Sequence, residues 1–311
     1  MKSLAGMVLA LTLSATTGAH AWWDAGHMQI AWLAWQKLDA QTRVKADALL
    51  QLNPDYPKWV AGAPPGRVAE FAFTRAAVWA DDIKLFGSGY TRDNATSPGA
   101  SQNIGYADEN QHAYWHYRDQ VWSPDGTQTI PAEPVDALTQ LSIMIPALKA
   151  GSGATDDVRS YDLAWILHLA GDLHQPLHSI GRFTHEIPNG DRGGNEEQVT
   201  KATGEVTRLH FYWDGMFGGY STTIGAITDA RDNKLDQVPV DQAAAAVVDP
   251  AVWLNESFEL AKSDAYAEPV GPGKGPYVLT RDYETNARNL ARKRAALAAA
   301  RLANLIKAAL N

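Results

Sequence analysis

Apolar residues recur at helical spacing through most of the chain, in stretches separated by short polar breaks rich in glycine and proline, and this pattern predicts a mainly α-helical protein. Ile30, Trp32, Leu33 and Trp35 crowd a first helix over residues 25–38. Asp39 is placed to cap a second helix that runs to residue 52. Residues 53–66 read as loop, 67–84 as helix, and 85–110 as an extended surface loop. Two further helices are predicted over 135–149 and 157–175, and shorter ones over 240–248 and 251–263, with a Gly/Pro loop at 269–276. Residues 280–310 form one long helix. Ala291, Ala295, Ala298, Leu302, Leu305 and Ala309 make its apolar stripe, and the Arg and Lys residues lie mostly off it, as on a solvated face. A strand pattern occurs at one place: residues 196–201 and 205–211 flank Thr203-Gly204, which predicts a small β-hairpin near 195–211.

The first 21 residues do not belong to this pattern. Lys2 precedes an apolar run over residues 4–13, too short to span a bilayer, and Ala19-His20-Ala21 matches an Ala-x-Ala cleavage site. A secretory signal over 1–21 is expected, leaving a chain that starts at Trp22 and is secreted or periplasmic, without a membrane anchor. No Gly/Ser-rich or Pro-rich linker divides residues 22–311, so one domain acting as a monomer is expected.

The chain has no cysteine, which excludes thiolate metal sites and cysteine nucleophiles and leaves an exported protein without disulfides. Bound metal is another way to brace such a fold. The formal charge of −8 becomes −9 without Lys2 and argues against a broad basic surface for nucleic acid. Three divalent ions would bring it to −3, with the positive charge concentrated in one cleft.

The chemistry centres on His168-Leu-Ala-Gly-Asp172-Leu-His174-Gln-Pro-Leu-His178. Positions four apart share a helix face, so His168 and Asp172 can point at one ion. Pro176 should end or kink the helix and free His178 to aim elsewhere. His210 and Asp214 repeat the four-residue spacing. A single pair of this kind is ordinarily a salt bridge, but two pairs with a histidine between them point to ligation. Nitrogen and oxygen donors at this density suit zinc, and the chain reads as a multinuclear zinc hydrolase. Trp22-Trp-Asp-Ala-Gly-His27 adds an N-terminal amine and carbonyl and a further imidazole, and Trp79-Ala-Asp81 and Trp115-His116-Tyr117 add a carboxylate and another imidazole. No Gly-x-Ser-x-Gly and no Walker loop occurs, so no side-chain nucleophile is indicated.

Together these segments resemble the zinc-dependent nucleases of fungal and plant type, nucleases S-one and P-one, whose fold is shared with bacterial zinc phospholipase C. The resemblance runs from Trp22 to the C-terminus and also takes in Gly190-Asp-x-Gly-Gly-Asn195, Leu209-His-x-x-Trp-Asp214 and Arg301-Leu-Ala. It implies a single helical domain around a trinuclear zinc cluster. Carried over by position, the first ion takes Asp81, His116, His168 and Asp172, and the second takes His178, His210 and Asp214. The third takes the Trp22 amine and carbonyl, His27 and Asp172, which bridges to the first. His174, off the face of His168, is expected to orient a ligand. Asp81, Asp172 and Lys84 are the expected catalytic residues, and Lys84 and Tyr117 the expected substrate contacts.

The resemblance further implies hydrolysis of single-stranded DNA and RNA, and of nucleotides, to 5′-phosphorylated products, together with 3′-nucleotidase activity. A water held between two ions loses its proton and attacks phosphorus as hydroxide, and the third ion neutralises the departing oxygen. Tyr117 stands where relatives carry a base-stacking aromatic, and equally fits an ordinary core position. Three positions depart from the family pattern: Trp23 replaces Gly, Lys84 replaces an Arg, and Gly215 replaces an Asn that reads a nucleobase edge in some members. A phospholipase C would typically have Glu in place of Asp214 and Asn in place of His174. A non-catalytic zinc-binding protein would give Lys84, Tyr117 and the shared carboxylate no purpose.

Overall fold

The computed structural model describes residues 22–271 and 273–311, and the expected export signal lies outside them. Two helices form the centre of the fold. The first, α1 (Asp24–Lys37), is buried at every residue from Ala25 to Trp35, so it has no solvent face in that span. It is followed by α2 (Ala40–Leu50), capped as expected by Asp39, whose carboxylate accepts from the Thr42 amide at 2.8 Å. A short helix, α3 (Tyr56–Val60), lies within the stretch read as loop. Its Pro57 sits in the first turn, where a missing N–H costs no hydrogen bond, so this proline marks a helix start and not a break.

The single helix expected over 67–84 is two helices, α4 (Val68–Ala76) and α5 (Trp79–Asp82). At the break, the Ala77 carbonyl accepts a hydrogen bond from the His168 Nδ1 at 2.7 Å. Next come α6 (Ala137–Leu148), with a reciprocal capping box between Asp136 and Thr139, and the second central helix, α7 (Asp156–Asp172), buried from Ser160 onward. Its Trp165 packs edge-on against Trp115 (centroids 4.9 Å apart) and Trp79 (6.2 Å). Burying an aromatic of this size, about 150–250 Å² at about 25 cal/mol per Å², stabilises by about 4–6 kcal/mol. Here it also fixes the segments carrying Asp81 and His116 against the helix carrying His168 and Asp172.

The C-terminal half contains α8 (Leu209–Asp214), α9 (Thr223–Asp232), α10 (Gln242–Ala246), α11 (Pro250–Leu260) and the long α12 (Arg281–Leu310). Every position of the predicted alanine–leucine stripe on α12 is buried. Arg294 and Arg301 are buried as well, each paired with Glu256 of α11, so the basic residues of this helix are not all on a solvated face.

Strands are few and two or three residues long. The expected hairpin is present as β3 and β4 (Gln198–Thr200 and Val206–Arg208), but its second arm stops at Arg208. From Leu209 the apolar residues Leu209, Tyr212 and Trp213 follow helical spacing, and α8 takes over. Two pairings were not anticipated: β1 (Gln120–Trp122) runs parallel to β2 (Ile180–Arg182), and β5 (Tyr277–Val278) adds to the hairpin in the order β4-β3-β5. No helix among the described residues is long and apolar enough to cross a membrane.

Candidate metal centre

The last turn of α7 presents His168 and Asp172 to one point, as their spacing requires. His168 donates from Nδ1 to the Ala77 carbonyl, which leaves Nε2 at 2.9 Å from His116 Nδ1 and 3.4 Å from Asp172 Oδ2. His116 Nδ1 lies 3.2 Å from the same Asp172 oxygen, and Asp81 Oδ1 is 3.8 Å from both imidazoles. The other oxygen of Asp172, Oδ1, faces His27 Nε2 at 3.3 Å, and the His27 ring stacks on His168 at 3.8 Å. Asp172 thus turns one oxygen to His116 and His168 and the other to His27. Gly171 permits this approach, since a Cβ there would lie 2.8 Å from His27 Nδ1. The Trp22 indole donates to the Gly171 carbonyl at 3.1 Å, which brings Trp22 beside the same carboxylate.

A second group forms where the chain turns after α7. His178 donates from Nδ1 to the His116 carbonyl (2.8 Å), and His210 donates from Nδ1 to the Gly193 carbonyl (2.7 Å). A carbonyl can only accept, so in His168, His178 and His210 alike Nδ1 carries the proton and Nε2 keeps its lone pair for a ligand. Gly193 has φ +62°, and a Cβ on it would overlap the Leu177 carbonyl oxygen, so no other residue fits where His210 is oriented. Asp214 Oδ2 is 3.3 Å from His210 Nε2, while its Oδ1 accepts from Gln175 Nε2 at 2.7 Å.

Among the described residues, three buried sets have ligand atoms within 4.8 Å of one another: His27, Asp81 and His168; His116, His168 and Asp172; and His178, His210 and Asp214. Burial pushes the His116 imidazole down to about 3, with Lys84 adding to the effect. His27 and His178 are also lowered, chiefly by burial. For His168 burial is outweighed by Asp172 and Asp81, and its pKa rises. Burial would raise Asp172, but His168, His116 and His27 together hold it well below the usual carboxylate range. Burial drives Asp214 well above that range, and the Gln175 bond offsets only part of it.

A metal ion fits this donor set. His178 Nε2 and Asp214 Oδ2 are buried and make no hydrogen bond, a cost of about 1–3 kcal/mol for each such group that a cation between them would remove. Gln175, to which the sequence assigns no role, holds Asp214 in place, and its own side-chain oxygen accepts from the Leu177 amide at 2.6 Å. Gln175→Ala is expected to weaken the ion held by His178, His210 and Asp214 by about 10–100-fold, as loss of a ligand's supporting hydrogen bond usually does. Competition titration against a chelator of known affinity measures this, and unchanged affinity would mean that Asp214 needs no support.

Lys84 lies beside this cluster, with Nζ 2.6 Å from Asp81 Oδ1. Tyr117 directly follows His116, half-buried against the main core. His174 does not orient a ligand. It donates from Nδ1 to the Ala170 carbonyl, and its Nε2 meets Arg301 Nη1 at 3.1 Å. Around it, Arg294 donates to the His174 carbonyl at 3.4 Å and Ser257 to the Leu173 carbonyl at 2.6 Å, so residues of α11 and α12 satisfy the two buried carbonyls that follow α7. His112 pairs with Asp93 and Asp108, and the exposed His185 with Asp125.

Two of the three departures prove to be one feature. The Trp23 amide donates to the Asp214 carbonyl at 3.0 Å, and its ring lies over Gly215, where a Cβ would sit 3.2 Å from the indole. Tryptophan at 23 and a residue without a side chain at 215 therefore fit each other.

Known proteins resemble this chain in sequence. Over 67 residues the chain is 39% identical to Nuclease S1 of Aspergillus oryzae, a match that spans 20% of this chain and 20% of that relative. The profile of the family described as S1/P1 Nuclease matches residues 22–311, the whole of the described chain, and the protein belongs to the S1/P1 nuclease family.

Proposed function

We propose that the protein is an exported zinc-dependent nuclease that hydrolyses single-stranded DNA and RNA to 5′-phosphorylated products and also removes 3′-phosphates from nucleotides. The observation that carries this reading is the convergence of five imidazoles and three carboxylates from distant segments on one buried centre, with Asp172 turning its two oxygens to different neighbours. Five nitrogen donors favour zinc over magnesium, which prefers oxygen. Zinc supplies Lewis acidity and a water of lowered pKa.

The chain's own residues do the rest. Asp81, His116, His168 and Asp172 would hold one ion, His178, His210 and Asp214 a second, and Trp22, His27 and Asp172 a third. Residues 1–21 act as the export signal, and 22–311 form one domain. Lys84, beside Asp81, offers a point charge to a phosphate oxygen, without the two-pronged geometry of arginine. Tyr117 offers a ring face to a base next to His116. Ala77, His116 and Gly193, through their carbonyls, keep the imidazoles in the tautomer that binds metal.

The test is to offer the zinc-loaded protein single-stranded DNA, RNA and phosphatidylcholine in parallel. Cleavage of both nucleic acids to 5′-phosphorylated ends, with the lipid left intact, is expected. Turnover of the lipid alone would overturn the proposal.

A further inference from the structure

The short helix α5 and the residues just after it have two working sides. On one, Asp81 and Lys84 meet at the candidate metal centre. On the other, Asp82 pairs with Arg75 at 2.9 Å and forms part of the wall of a cavity of about 360 Å³. That volume is within the range of small-molecule pockets, about 300–1,000 Å³. Three aromatic residues line it: Trp59, which is buried, Tyr90, which is half-buried, and Phe86, which is fully exposed. Leu85 beside Phe86 is also exposed. The stretch after Lys84 thus presents apolar surface to solvent next to a buried polar centre, as binding surfaces do.

The charges on the lining identify the ligand. Lys58 is paired with Asp55 and Arg75 with Asp82, so the two cations are balanced by two carboxylates. A phosphate gains little in such a site. A nucleobase, with donors and acceptors along one edge and a π-face for stacking, matches both the paired polar groups and the aromatic walls. Arg75 Nη1 is buried with no hydrogen-bond partner, so its guanidinium has donor capacity left after Asp82 is served.

Position identifies which base. Phe86 is two residues beyond Lys84, so their Cα atoms are at most about 7 Å apart. We infer that this cavity, with Phe86 on its rim, binds a nucleobase of the substrate strand beside the phosphodiester held at the metal centre. This deepens the nuclease reading and rests on it.

The experiment uses the zinc-loaded protein and single-stranded oligonucleotides with one cleavable phosphodiester, in which one base at a time is replaced by an abasic site. For the unsubstituted enzyme, removing the base at one position near the cleaved bond should raise KM about ten-fold, the scale of one base–aromatic stack. Phe86→Ala should raise KM equally on the intact strand, with no further rise when that base is removed, and Phe86→Tyr should restore the original profile. Phe86 is fully exposed, so its truncation leaves the core intact. An unchanged KM in Phe86→Ala, or a base-removal effect that simply adds to it, overturns the inference. If the unsubstituted enzyme cuts none of the strands, the nuclease reading itself has failed.

Discussion

Removing metal with a strong chelator is expected to abolish cleavage and lower the melting temperature by some tens of degrees, with zinc restoring both and magnesium neither. The proposed ligands include residues of α1, α5, the turn at Ala113–His116, α7, the turn at Pro176–Ser179 and α8, so ions held by them would tie these segments together beyond their packing and hydrogen bonds. An ion present at a thousand times its dissociation constant stabilises the fold by about 4 kcal/mol, and three by about 12. In a domain of this size each kcal/mol shifts the melting temperature by about 2–4 °C. The metal-free chain must also bury Asp214 between Gln175 and His210, and leave the buried His178 Nε2 without a hydrogen bond. Calorimetry with and without chelator, paired with a cleavage assay, measures both effects. Full activity in chelator would rule out a metal mechanism.

The second large effect is expected at Asp172. Asp172→Asn preserves shape but removes the charge that two neighbouring groups share, so bound zinc should fall from three ions per chain to about one, retained by His178, His210 and Asp214, and cleavage should fall by about a thousand-fold or more, the scale of lost electrostatic stabilisation in a transition state. Asp214→Asn should lose a single ion, because its carboxylate faces only the second set. Elemental analysis of the purified variants decides the matter. Three ions retained in Asp172→Asn would mean that this residue is not a bridge.

Much of the fold was legible because helices leave a periodic signature over ten or more residues. The spans of α1, α6, α7 and α12 agree with the apolar pattern, and the Asp39 cap forms as its position suggests. The grouping of the candidate ligands was legible for a related reason: at a spacing of four, His168 with Asp172 and His210 with Asp214 share a face when the segment is helical, and both segments are. Other features leave no such signature. Strands of two or three residues are too short to alternate, which hid β1, β2 and β5. The break between α4 and α5 is stabilised by a bond to His168, 91 residues away, and nothing local announces it. The carbonyls of Ala77, His116 and Gly193 orient three imidazoles through backbone atoms, which carry no residue identity to read. Trp23 and Gly215 looked like unrelated exceptions until their contact was seen.

The end of α7 has a consequence for the order of assembly. The carbonyls of Leu173 and His174, one and two residues past Asp172, are satisfied by Ser257 and Arg294, and His174 is held by Arg301, whose partner is Glu256. The helix that carries the shared carboxylate is therefore finished by residues more than eighty positions later in the chain. Contacts this distant form late, because the loop between them must close first. An N-terminal piece ending after Asp214 would contain every proposed ligand and still leave the Leu173 and His174 carbonyls and His174 Nε2 without these partners. Hydrolytic capacity is thus tied to completion of the polypeptide: until α12 docks, a nascent chain has the ligands of a nuclease without the frame that aligns them.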